Sequence, residues 1–137
     1  MSGTGDDLIE AATMARDRSY VPYSAFRMGA AVRCADGTIV PGALVENVSL
    51  GLAMCAERVA LFATVARRLV PTELAIVSER TSGELTFPCG ACLQVALELA
   101  GPELTVIAGE PGGESSQARL GDLVPRAPRR GTYAAGR

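Results

Sequence analysis

The spacing of apolar residues changes character several times along the chain. Over residues 6–18, Leu8, Ile9, Ala12 and Ala15 share one side at helical spacing, after the acidic residues Asp6 and Asp7 that suit a helix start. Tyr20-Val21-Pro22-Tyr23-Ser24 breaks this pattern, because a proline pushes the residue before it toward extended backbone. Residues 26–34 and 38–45 then read as two strands joined at Ala35-Asp36-Gly37, where Asp-Gly is a strong hairpin signal. A second helix is predicted over residues 55–69, with Val59, Phe62, Val65 and Ala66 as its apolar stripe.

The apolar run at 73–78 (Leu74-Ala75-Ile76-Val77) reads as a short buried strand, followed by a polar connection over 80–87. A third helix is predicted from about Gly90 to Ala100, stopped by Gly101-Pro102, and a further strand at 104–108. Gly and Ser between 111 and 116 predict a flexible loop, and 119–124 a last short element. Helices interleaved with strands imply an α/β sandwich with helices on both faces of a sheet. Residues 1–124 are expected to form this one domain, and 125–137 a flexible C-terminal tail.

A chain of 137 residues is long enough to bury a core without disulfides. With 48% apolar and 20% charged residues, it has the composition of an ordinary globular protein. The formal charge of −2 argues against a nucleic-acid partner. The N-terminal residues lack the basic start and apolar stretch of a secretory signal, and no run reaches the ~18 apolar residues of a membrane span. A cytoplasmic location and no membrane partner are therefore expected. In a reducing compartment, clustered cysteines are metal ligands or catalytic groups before they are disulfide partners.

The candidate chemistry lies in Cys55-Ala56-Glu57 and Pro88-Cys89-Gly90-Ala91-Cys92. The sequence has no histidine, so a tight zinc site here must be built on cysteine, with carboxylate as the other option. Three thiolates leave a tetrahedral zinc one open position, where water is activated. Both cysteine clusters fall where helix starts are predicted, and the partial positive charge of a helix N-terminus favours thiolate. Glu57 is placed to take a proton from that water and pass it to a leaving amine. Arg58 beside the thiolates would offset their excess negative charge; the alternative is an arginine on the outer face of the helix. A lone Cys-x-x-Cys is ambiguous between redox, structural zinc and catalytic zinc. Cys-x-Glu followed after about 30 residues by Pro-Cys-x-x-Cys is the pattern of zinc deaminases, in which the glutamate is acid/base and not a ligand. A structural zinc or a dithiol is the remaining alternative. Cys34, on a predicted strand, is a small buried residue and not a fourth ligand.

With these motifs the chain resembles the small, homotetrameric, three-cysteine cytidine deaminases over roughly residues 6–124. The likeness rests on Tyr23-Ser24-x-Phe26-x-x-Gly29-Ala30-Ala31, Glu46-Asn47-x-Ser49, Cys55-Ala56-Glu57-Arg58 and Pro88-Cys89-Gly90-Ala91-Cys92-x-Gln94. The resemblance implies a three-layer α-β-α sandwich with a five-stranded mixed sheet and active sites at subunit interfaces. It implies zinc held by Cys55, Cys89 and Cys92, and a zinc-activated water that attacks C4 of a cytosine ring while Glu57 shuttles protons and ammonia leaves. By position, Phe26 would flank the base, Glu46 would meet a ribose hydroxyl and the Ala56 backbone the pyrimidine edge. Competing readings are a core role for Phe26 and a solvated strand-end charge for Glu46. Tyr20, Tyr23 and Phe87 are further aromatics at the expected pocket edge.

The chain departs from that family where it holds the sugar. Leu44 replaces an asparagine, Leu50 an aromatic and Leu93 an arginine, and Pro128 stands near the end of the chain where the family closes with an aromatic. A lost sugar hydrogen bond costs ~1–3 kcal/mol where it leaves a buried partner unpaired. The expected substrate is cytidine or deoxycytidine; the alternative is a modified nucleoside of the blasticidin S kind or another aminated heterocycle.

Overall fold

The computed structural model describes residues 3–131; Met1, Ser2 and positions 132–137 of the expected tail lie outside the described residues. The first helix, α1, spans Gly3–Arg16, and two strands follow, β1 (Met28–Cys34) and β2 (Ile39–Ala43). After a 3-10 turn at Leu50–Leu52 come α2 (Ala56–Ala66), β3 (Pro71–Ser78), α3 (Gly90–Ala100), β4 (Thr105–Gly109), β5 (Ser115–Arg119) and the one-turn α4 (Leu120–Leu123). The strands form one sheet in the order β2-β1-β3-β4-β5, in which β3 and β4 are parallel and every other pair is antiparallel.

Strand alternation divides the core in two. Ala30, Val32 and Cys34 of β1, Leu74 and Ile76 of β3, and Val106 and Ala108 of β4 point to the face covered by α2 and α3. Ala31, Ala75, Val77 and Ile107 point to the other face, against Leu8 and Ala12 of α1. The result is the expected three-layer sandwich around a five-stranded mixed sheet. Leu74 to Val77 of β3 form an unbroken apolar run because helices cover both faces of the strand there. Pro41 sits in β2 without disrupting the sheet because β2 is an edge strand. Among the described residues no helix is long and apolar enough to cross a membrane.

Three predictions change. The buried face of α2 is Ala56, Glu57, Ala60, Leu61 and Thr64, while Phe62 and Val65 of the predicted stripe are 47% and 50% exposed. Both sides of this helix are apolar, and the sheet takes the side with small residues because Gly42 of β2 lies against the Ala56–Ala60 turn. α2 also ends at Ala66 rather than Leu69. Arg68 turns left-handed (φ 56°), its N–H reaches Val65 O at 3.1 Å, and the Leu69 N–H reaches Thr64 O at 3.0 Å. This Schellman stop has arginine where glycine is usual, so the sequence carried no stop signal. Finally, the predicted loop at 111–116 and short element at 119–124 resolve into a hairpin to β5 followed by α4. β5 is an edge strand with a solvent-exposed face, so it lacks apolar alternation. The stretch after Pro125 runs along α3, where Gln94 donates to Pro128 O at 2.8 Å and Arg130 to Glu98 O at 2.9 Å.

Candidate active site

The N-termini of α2 and α3 converge on the same side of the sheet. Cys55 is the N-cap of α2 and Cys89 the N-cap of α3; both have extended backbone (ψ 147° and 167°), and neither side chain caps its own helix. Their sulfurs are thus free to face a common point. Cys92, one turn into α3 on the same side as Cys89, completes the set. The three Sγ atoms lie within 4.8 Å of one another, with Cys89 and Cys92 at 3.5 Å. A tetrahedral zinc with bonds of ~2.3 Å holds sulfurs about 3.8 Å apart, so the donor set fits that ion. Cys34 lies in the core, as expected of a small apolar side chain.

The charges around the sulfurs call for a cation. The hydrogen bond from Cys92 and the adjacent Arg58 guanidinium hold the Cys55 thiol down to about 5, against the opposing effect of burial. Cys92 is pushed the other way by its hydrogen bond to Cys55, its burial and the charge of Glu57. Protein groups alone therefore disfavour the Cys92 thiolate, and a bound dication would release its proton. Arg58 Nη2 lies 3.5 Å from Cys55 Sγ and its Nε is buried, so it is not a solvent-facing helix arginine. Glu57 is 2% exposed, and its Oε1 is buried without a protein partner. Burial lifts its carboxyl to about 7. Ala56, between ligand and carboxylate, is fully buried in the first turn of α2.

A second group of residues borders the entry to α2. Val45 exchanges both backbone hydrogen bonds with Met54, the residue before Cys55, at 3.0 and 2.8 Å. The next residue, Glu46, is engaged by its own chain: Oε1 accepts the N–H groups of Tyr23 (3.0 Å) and Ser24 (3.2 Å), and Oε2 accepts the Ser24 hydroxyl. It is not a free strand-end charge. Phe26 is half-buried ahead of β1 and outside both core clusters. Tyr20 and Tyr23 are exposed, and Phe87 packs against the main core. Of the atypical positions, Leu44 packs against the main core, Leu93 is buried in it, and Leu50 is 86% exposed. The motif around Ser24 does not by itself assign that hydroxyl a role. Its partner Glu46 lies 22 residues away, a pairing that a single sequence does not reveal.

The family model for the cytidine and deoxycytidylate deaminase zinc-binding region matches residues 4–108. The chain belongs to the cytidine and deoxycytidylate deaminase family. It is 40% identical to a cytidine deaminase of Halalkalibacterium halodurans, covering 88% of this chain and 90% of the relative. It is 44% identical to one from Mycobacterium tuberculosis, covering 85% and 83%. Among solved structures, cytidine deaminase from Burkholderia pseudomallei superposes with a TM-score of 0.85 at 42% identity, covering 90% of this chain and 98% of that one. The Mycobacterium tuberculosis enzyme gives 0.77 at 41%, covering 90% and 96%. This deaminase is therefore a zinc-dependent hydrolase acting on C–N bonds, and its Cys55, Cys89 and Cys92 sulfurs form a cluster that fits zinc.

Proposed function

We propose that the enzyme hydrolyses the exocyclic amine of cytidine or deoxycytidine, giving the corresponding uracil nucleoside and ammonia. The observation that carries this reading is Glu57, a buried carboxylate with an unpartnered oxygen beside three converging thiols. Zinc, when bound, supplies Lewis acidity toward a water molecule. Glu57 takes the proton released from that water and hands it to the departing amine. Its buried carboxyl suits the task, since a group that titrates near neutrality both accepts and returns a proton. Arg58 offsets part of the negative charge on Cys55. Phe26 walls the base, Glu46 accepts a sugar hydroxyl, and the Ala56 backbone meets the pyrimidine edge.

The working form is proposed to be a cytoplasmic homotetramer, with residues 1–124 as the deaminase domain of each subunit. Exposed apolar side chains support the assembly. Phe62 and Val65 face outward from α2, and a groove of about 460 Å³ between α1, β2 and α2 is lined by Met14, Ile39, Pro41 and Val59. Val48, Leu50 and Leu52 add a second exposed apolar stretch.

A second reading, deamination of a modified nucleoside of the blasticidin S kind, draws on Leu44, an apolar side chain packed against the main core where the resemblance expects an asparagine. Ammonia release from zinc-loaded protein given cytidine, deoxycytidine, cytosine or blasticidin S separates the two. Turnover of cytidine or deoxycytidine is expected; turnover of blasticidin S alone would replace the first reading with the second, and no turnover across the panel would sink both.

A further inference from the structure

The Ser24 hydroxyl joins two of the residues assigned to the nucleoside. It donates to Glu46 Oε2 and accepts the Phe26 N–H at 3.0 Å. Between Ser24 and Phe26, Ala25 is left-handed (φ 63°), a conformation that crowds the β-carbon of any residue but glycine. Such a backbone persists only where its surroundings hold it. Here the Ala25 N–H closes on Val21 O at 3.0 Å, and three hydrogen bonds from residues 23 and 24 enter the Glu46 carboxylate. Glu46 is itself fixed, because its N–H donates to Tyr20 O at 2.8 Å and the preceding residue is paired with Met54. The turn at 21–26, the Glu46 carboxylate and the approach to Cys55 are one hydrogen-bonded unit.

Counting acceptor sites shows what this unit leaves open. A carboxylate oxygen accepts about two hydrogen bonds. Oε1 is filled by two backbone N–H groups, whereas Oε2 takes one hydroxyl and retains one acceptor site. We propose that Ser24 is a positioning residue for substrate: its hydroxyl fixes the Glu46 carboxylate with one acceptor site free, and sets the backbone of Phe26 beside it, before the nucleoside arrives. This rests on the assignment of Phe26 and Glu46 to the nucleoside. Without the hydroxyl, both Oε2 sites are open, the Phe26 N–H loses its partner, and the strained turn loses a restraint. The role lies in binding, since the Ser24 hydroxyl is bonded to Glu46 and Phe26, the two residues assigned to the nucleoside.

The test compares Ser24→Ala, Ser24→Thr and Phe26→Ala on cytidine, with zinc content and thermal unfolding measured alongside. Ser24→Ala is expected to raise KM about tenfold, the size of a hydrogen bond to a charged group, with kcat within about twofold and zinc retained. Ser24→Thr keeps the hydroxyl and is expected to restore KM. An unchanged KM in Ser24→Ala alongside a raised KM in Phe26→Ala overturns the role of Ser24 and leaves the nucleoside assignment standing. An unchanged KM in both variants overturns the assignment and the proposal with it. A Ser24→Ala protein that loses zinc or unfolds markedly earlier, or a threonine variant no better than alanine, reduces Ser24 to a fold residue and also overturns the proposal.

Discussion

A β-carbon on Gly42 would stand 2.5 Å from the Ala56 carbonyl oxygen. It would also lie 2.6 Å from the Ala60 backbone nitrogen, so the edge strand and the first turn of α2 meet backbone to backbone. That turn carries Cys55 at its cap and Glu57 inside it. Gly42→Ala must therefore push α2 outward, and is expected to cost about 1–3 kcal/mol of stability, as overpacking in a core does. The displacement moves a metal ligand with it. Thermal unfolding and zinc content together check this: both are expected to fall, and a variant with unchanged values of both would show that the contact yields without consequence.

Glu57→Gln keeps the size of the side chain and removes its ability to take a proton. Since Glu57 is not a sulfur ligand, zinc content is expected to stay at one per chain while kcat falls by roughly 10²–10⁴-fold, the usual share of a positioned acid/base. Ammonia release at the wild-type rate would remove Glu57 from the mechanism.

The sulfurs of Cys55 and of Cys89 and Cys92 belong to different helices. Metal bound there ties α2 to α3, so a chelator is expected to stop ammonia release and also to lower the unfolding temperature. At free zinc 100-fold above its dissociation constant, the linkage amounts to about 2.7 kcal/mol. Cys89→Ser should reproduce both effects in a chelator-free buffer. Calorimetry with and without zinc is the measurement, and an unfolding temperature indifferent to metal would contradict the tie.

Phe62 and Val65 lie on the outward side of α2 and are about half exposed. If that side is a subunit contact, Phe62→Glu combined with Val65→Glu brings like charges into a desolvated interface. Sedimentation velocity is then expected to show smaller species than the wild-type protein does. A double variant that sediments as wild type would assign the assembly to other surfaces.

The parts of this fold that were legible in sequence are those whose burial leaves a periodic trace. Leu74 to Val77 showed a strand buried on both faces, and the cysteines showed two helix starts because ligand spacing and capping position coincide there. β5 was not legible as a strand, since Ser115, Ser116 and Gln117 face solvent and apolar alternation vanishes without burial. The orientation of α2 was misread for the opposite reason: with apolar residues on both sides, only the fit of small residues against Gly42 decides which side faces the sheet. In the site, the convergence of Cys55, Cys89 and Cys92 was readable from local motifs. The clasp between Ser24 and Glu46 is a contact between distant segments whose two halves each look like ordinary loop polarity.

The metal-binding caps also bear on how this chain tolerates change in length. Cys55 is held by α2 and Cys89 by α3, and both helices pack on one face of the same sheet. The segment between β3 and α3 turns back on itself at Thr81 and Glu84, with Ser82 and Gly83 left-handed at an exposed tip. The Gly83 carbonyl accepts from Arg80 Nη1 at 3.2 Å, and none of the four tip residues belongs to the sulfur cluster. A few extra residues inserted between Ser82 and Gly83 are expected to leave zinc content and turnover near wild type, which elemental analysis and an ammonia assay would check. The length of this one tip is thus expected to be separable from the geometry of the sulfur cluster.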